Sequence, residues 1–267
     1  MINILVSVRP DLASSIALRY AGELGKLMEI GLQPIHIKEP EDRGNLFGTG
    51  WVRHTWEQAL AQRGEEEIGL LIRTEKPNCP QLSAPRVIVG DKDEEILKEA
   101  QIGAYDLFME GILASFNVAG FQRLLRSNLY QNMPCPIIVV KNLIPLEKTA
   151  LLFSEGMDSR RLIQNFIKLF EDAKFPVDLL YYTSDRRDKL ELQDGKDSMG
   201  DLIYASQLLE NHHWPPRDLV TISGPPHLLA DYLGDYALVG SAIKDDIDRK
   251  HPILTVFGRT PSPIFIC

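Results

Sequence analysis

The sequence predicts an α/β chain built as two tandem, doubly wound, open parallel sheets of five strands each, packed as a pseudo-dimer. Three observations carry that prediction. The stretch PCPIIVV (134–140) returns as PSPIFIC (261–267), so nearly the same strand is written twice. Each half opens with a strand, a turn containing Asp, an amphipathic helix and a second strand, with Leu5 to Asp11 and Leu152 to Asp158 both six residues apart. The closing elements also recur at near-equal spacing: Gly111 to Pro136 is 25 residues, and Gly240 to Pro263 is 23.

The elements follow in order. Residues 2–8, INILVSV, are apolar and β-branched and read as a strand ending at Arg9-Pro10-Asp11. In 12–31 the residues Ile16, Tyr20, Leu24 and Leu27 recur at helical spacing, with Asp11 or Ser14 as N-cap and Gly31 as terminator. LQPIHI (32–37) is the second strand, which makes a β-α-β unit with a right-handed crossover. GNLFGTGW (44–51) reads as a loop joining it to the helix WVRHTWEQALAQRGEEEIGLLIRT, with Trp51 and Trp56 at that helix's start. RVIVGDKDEEILKEAQIGAYDLFMEG (86–111) is strand, Gly, helix, strand, Gly.

The second half repeats the series. TALLFSE (149–155) is a strand, 156–159 a turn, and the next helix carries Leu162, Phe166, Leu169 and Phe170 on one face. VDLLYYT (177–183) is the second strand, and the polar run 189–201 reads as a loop. DLVTISGPPHLLADYLGDYALVG (218–240) is the shorter counterpart of 86–111. The predicted domains are 1–143 and 148–267, joined by NLIPLEK. Continuous apolar strands such as IIVV fit sheets buried on both faces. The apolar final strands are edge candidates that pair within the chain or across a homodimer.

Composition narrows the function. The chain has 267 residues, 44% hydrophobic and 25% charged, as in ordinary globular proteins. A net charge of −8 argues against nucleic acid or an anionic membrane as partner. No apolar run reaches the roughly 18 residues of a membrane span, and the first residues lack a signal-peptide pattern. Three cysteines, Cys79, Cys135 and Cys267, with no CxxC fit reduced thiols and a cytoplasmic setting. In a doubly wound sheet, ligands sit beyond the carboxyl ends of the strands. That places 9–14, 155–159, 109–121, 239–246 and the glycines Gly90 and Gly224 at the predicted sites.

The order strand, Gly-Asp, acidic helix, DLFMEG, helix, PCPIIVV resembles the universal stress protein domain, and ILVSVRPDLASSIALRYAGELGK is similar to that domain's first strand and helix. The resemblance covers most of 1–142 and extends over 149–183 and 217–267, which marks a tandem member. It implies a non-enzymatic stress-response or signalling protein that binds an adenine nucleotide weakly: ATP with Mg, ADP or AMP. In that family a carboxylate ends strand one, and a glycine loop after strand four wraps the phosphates, since glycines let backbone amides approach closely.

The first half departs from this pattern. Arg9 stands at the carboxylate position, with Asp11 behind it, and Gly111 opens the loop, but Ala114 replaces the second glycine. The loop carries Phe116 and Val118, and Arg123-Leu124 stands where Gly-Ser is usual. The second half keeps Glu155-Gly156, with Ser159 at the helix start, and Gly240-Ser241. Its loop is acidic, with Asp245, Asp246 and Asp248, and ends at Gly258-Arg259. The implied cofactor-binding residues are therefore Glu155, Gly156, Ser159, Gly224, Gly240 and Ser241, with Arg9, Asp11, Gly90 and Gly111 in the first half. With these loops degenerate, the alternative is a dimerising scaffold without nucleotide, its contacts resting on Ile137 or Ile264. SEGMDS (154–159) also resembles the SGGxDS loop of adenylating PP-loop enzymes, with Glu155 where pyrophosphate would bind.

No catalytic triad, metalloprotease or P-loop motif is present in the sequence. His212-His213 lacks ligand spacing and reads as a helix end; His36 reads as a strand residue of the core.

Overall fold

The computed structural model describes residues 1–40, 51–113, 117–185, 187–195, 200–243, 248 and 250–267. In the first half, β1 (Ile2–Ser7), α1 (Leu12–Leu27), β2 (Ile30–Lys38), α2 (Trp51–Glu75) and β3 (Arg86–Val89) come first. They are followed by α3 (Lys92–Ile102), β4 (Leu107–Gly111), α4 (Val118–Leu125), α5 (Asn128–Asn132) and β5 (Ile137–Val140). The second half runs β6 (Thr149–Ser154), α6 (Ser159–Phe170), β7 (Val177–Ser184), β8 (Glu191–Asp194), α7 (Gly200–Asn211) and β9 (Asp218–Gly224). It closes with α8 (Pro226–Tyr232), β10 (Leu238–Ser241), α9 (Pro252–Arg259) and β11 (Ile264–Ile266).

The doubly wound α/β class is as the sequence predicts, with one correction. The two sheets are one sheet of eleven strands in the order β3-β2-β1-β4-β5-β11-β10-β6-β7-β9-β8. The strands within each half's set of five are parallel. The halves meet where β5 and β11 pair antiparallel, with Ile264 opposite Val139, Phe265 opposite Ile138 and Ile266 opposite Ile137. Of the two ways the apolar final strands could be satisfied, the chain uses the internal one. The strand order of the second half mirrors the first about this pair.

Three local expectations are also corrected. The polar run 189–201 contains a sixth strand of the second half: β8 pairs antiparallel with β9, Leu192 opposite Ile222. Gly31 does not end α1; Met28 caps the helix, and Gly31 lies in β2 opposite Asn3. Leu27 is exposed, while Tyr20 and Leu24 are fully buried, so α1 turns its last apolar residue outward. Asp11 is the N-cap, and its carboxylate accepts from Ser14 N at 2.8 Å. Asp158 does the same for Arg161 N at 3.0 Å, so the repeat extends to its caps.

Alternate residues of each strand point to opposite faces, and helices cover both. One cluster takes Ile4, Val6, Met109 and Ile138 together with Phe166 and Phe265. The other takes Leu5, Ile137 and Val139 with Val239 and Ile264. Both cores therefore run without a break through the seam between halves. A hydrogen bond and a ring contact cross it as well. Tyr20 OH donates to Ala237 O at 3.0 Å. The Phe121 and Phe257 rings meet edge to face at 6.3 Å.

Lys141, just past β5, is 2% exposed and donates to Phe257 O and, at 3.3 Å, to Thr260 O at the end of α9. It satisfies carbonyls that a helix C-terminus leaves without partners. Burial pushes its ammonium down to about 7. A base depressed in the folded chain costs stability fully below its folded value, and the cost lifts as pH rises toward the ordinary lysine value of about 10.4. We expect wild-type stability, measured against Lys141→Met by urea unfolding, to rise between pH 7 and pH 10. At about 1.4 kcal/mol per unit the rise over these three units is at most about 4 kcal/mol; a flat difference would refute a depressed Lys141.

Candidate functional site

A cleft of about 300 Å³ opens over the carboxyl ends of β1 and β2. Its walls are residues 7–10 after β1, residues 36–39 of β2, Glu67 of α2 and Lys92 of α3. The β1 wall is held locally. Ser14 Oγ accepts from Arg9 N at 2.8 Å, and Arg9 Nε lies 3.4 Å from Asp11 Oδ2. On the β2 wall, His36 is buried, and its Nδ1 lies 2.9 Å from Val8 O. A carbonyl oxygen only accepts, so Nδ1 carries the hydrogen. His36 Nε2 is buried and has no hydrogen-bond partner. It faces Glu67 Oε2 at 3.8 Å, beyond hydrogen-bond reach.

Each cation of the cleft has a carboxylate beside it. Lys38 Nζ lies 2.6 Å from Glu67 Oε1. Lys92 Nζ pairs with Glu110 Oε1. Glu110 is 3% exposed, at the end of β4, and also accepts from Tyr130 OH at 3.1 Å. Burial first, and Glu110 second, pushes the Tyr130 phenol well above its ordinary value. Tyr130 therefore stays a donor to a carboxylate that would otherwise be buried short of partners.

The predicted site residues divide into three groups. Arg9 lines the cleft, Asp11 stands behind it, and Gly90 borders it through its N–H, which donates to Lys38 O at 3.3 Å. Gly111 and Gly240 lie inside the packed sheet. A Cβ on Gly111 would stand 2.0 Å from Ala13 O, so this glycine lets α1 seat on β4. A Cβ on Gly240 would stand 2.9 Å from Leu151 Cδ2 and 3.2 Å from Phe265 Cδ1. Ser241 is fully buried, and its hydroxyl donates to Leu152 O at 2.9 Å.

The remaining second-half residues are dispersed. Glu155 and Gly156 are exposed, and Gly156 has φ +80° with open space around it. Ser159 is buried at the start of α6 with no partner for its hydroxyl. Gly224 has φ +147°, and its carbonyl accepts from Tyr182 OH at 2.9 Å. The segment leading into β8 crosses it, with Lys189 O 2.7 Å from where a Cβ would be.

Ala114, Phe116, Asp245, Asp246 and most of 44–51 lie outside the described residues. Trp51 and Trp56 open α2 exposed to solvent, away from the clefts' lining side chains. His212 Nδ1 bonds Glu171 Oε1 at 2.9 Å, and the described residues contain no metal-holding cluster.

Sequence reading missed Lys38, Glu67 and Lys92, and it placed Glu110 within the predicted stretch 109–121 without singling it out. The three missed residues sit in charged runs that look like solvated helix or strand ends. Glu110 alone left a signal, a carboxylate inside the apolar strand LFMEG.

A tandem α/β chain with ligand-sized space at the carboxyl ends of parallel strands is the class that fold and cleft define. Among solved structures it is similar over its whole length to a universal stress protein from Archaeoglobus fulgidus DSM 4304. That match has a TM-score of 0.68 at 15% identity, over 99% of this chain and 95% of that one. A putative universal stress protein from Pseudomonas aeruginosa UCBPP-PA14 matches with a TM-score of 0.60 at 14% identity, over 99% and 92%. No family model and no curated protein matches the sequence. The chain has the universal stress protein fold, doubled.

We expect Gly111→Val to destabilise the chain by about 3 kcal/mol or more, as overpacking against backbone does, read as a lowered urea midpoint. An unchanged midpoint would show that α1 and β4 are not in contact there.

Proposed function

We propose that the chain is a non-enzymatic binding protein for an adenine nucleotide, with the ligand held in the first-half cleft and the two halves serving as a pseudo-dimer in stress response or signalling. The observation that carries this reading is the cleft over the carboxyl ends of the neighbouring strands β1 and β2, on the margin of the sheet where open α/β folds take their ligands, with Arg9 on one wall and the unpartnered His36 Nε2 on the other. The adenine class comes from the sequence resemblance. The sequence alone favours the second half, because it keeps Glu155 and Gly240-Ser241; geometry favours the first, because Ser241 and Gly240 are buried in packing.

A scaffold without nucleotide is the second reading. It is supported by Gly111 and Gly240, which serve helix and strand packing rather than an open phosphate loop.

Calorimetric titration with AMP, ADP and ATP with Mg tests the choice. Pro10 is exposed at the cleft rim, so Pro10→Trp fills the mouth without entering the core. We expect this variant to lose nucleotide binding and Glu155→Ala to keep it. The reverse pattern would place the site in the second half. Absence of binding by the wild type, with no nucleotide released on denaturing the purified protein, would leave the scaffold.

A further inference from the structure

His36 Nε2 and Glu67 Oε2 face one another across the rim of the cleft at 3.8 Å, too far apart for a hydrogen bond. His36 Nδ1 is committed to Val8 O, so in the neutral ring Nε2 keeps its lone pair. Nε2 is buried, has no partner, and stands 3.8 Å from Glu67 Oε2. Glu67 takes Lys38 on its other oxygen, Oε1, so Oε2 is the atom turned toward His36. An orphaned buried acceptor is a standing cost, and only a donor removes it. A ligand that presents an N–H or O–H to Nε2 satisfies it.

The charges of the cleft argue in the same direction. Among the described residues, Arg9, Lys38 and Lys92 are the cations near it, and Asp11, Glu67 and Glu110 stand beside them. The lining itself holds two carboxylate-bearing positions, Glu67 and Glu39, while Asp11 and the buried Glu110 stand behind it. Lys92 cannot turn to a phosphate without leaving the buried Glu110 uncompensated, which is the costly half of breaking a buried pair. The glycine that would open a phosphate loop, Gly111, is closed against Ala13. Each cation of the lining already has a carboxylate within 4 Å, so a polyphosphate gains one only by displacing that partner.

We infer that the cleft selects an uncharged, donor-bearing nucleoside over nucleoside polyphosphates, and that His36 Nε2 is the acceptor that recognises it. This rests on the reading of the cleft as a nucleotide-class site and deepens it. A ribose hydroxyl or an exocyclic amine supplies the donor; the aliphatic part of Ile37 and the Val8 side of the cleft supply its apolar contact.

The test is calorimetric titration of the full chain with adenosine and with ATP, with and without Mg. Adenosine is expected to bind at least tenfold more tightly than ATP. ATP binding as tightly as adenosine, or more so, overturns the inference and leaves the nucleotide reading standing. Binding by neither overturns both. His36→Phe keeps the ring and removes the acceptor, so it should weaken adenosine about tenfold, the size of one lost hydrogen bond. Because His36 is buried and that variant can fail to fold, the wild type gives an independent readout. The ¹⁵N resonance of His36 Nε2 should move on adding adenosine, as a lone pair gaining a hydrogen bond does. A resonance that stays in place at saturation overturns the assignment of His36.

Discussion

The antiparallel pairing of β5 with β11 is the constraint on which the rest of the molecule depends. Each half alone would end on a short apolar strand with an unpaired edge. Pairing the two removes both edges and turns two sheets into one. It also fixes orientation. Strands are parallel within each set of five, so an antiparallel seam points the carboxyl ends of the two sets toward opposite margins of the sheet. The candidate sites of the two halves thus cannot merge into one, and each must be built from its own half. The seam further requires that both faces be packed continuously, which is why Phe166 and Phe265 share a core with Ile4 and Ile138.

Much of the fold was legible in the sequence because its signals are local and repeated. The duplicated Pro-x-Pro strand, the Asp caps at equal spacing and the apolar face of α6 each state one element twice. What was not legible lacks such a signal. β8 is ELQD, mostly polar and mostly exposed, and it becomes a strand only because β9 offers an edge. Gly31 looks like a helix terminator, but register with β1 draws it into β2. That the two sheets join is a tertiary fact, which apolar edge strands permit but do not decide.

The candidate site was legible only where position in the fold determines it. Arg9, Asp11 and Gly90 follow parallel strands, so a topological rule finds them. Lys38, Glu67 and Lys92 come from three elements far apart in sequence, and each sits in a charged stretch that solvent alone would explain. Glycine is the harder case. A phosphate loop needs it for close approach of backbone to ligand, and a helix packed on a strand needs it for close approach of backbone to backbone. Gly111 and Gly240 meet the second need, and nothing in their sequence context separates the two.

The place of β11 has a consequence for synthesis. It stands sixth among eleven strands, at the middle of the sheet, yet it leaves the ribosome after every other strand of that sheet. Until it arrives, β5 and β10 present bare backbone to solvent or to neighbouring nascent chains. Domains emerging first ordinarily complete themselves first. Here the first half waits for the second, and the seam is sealed in a single late event. The interval between translation of β5 and capture of β11 is the window in which a holdase, or a second nascent copy of the same chain, would find a partner strand.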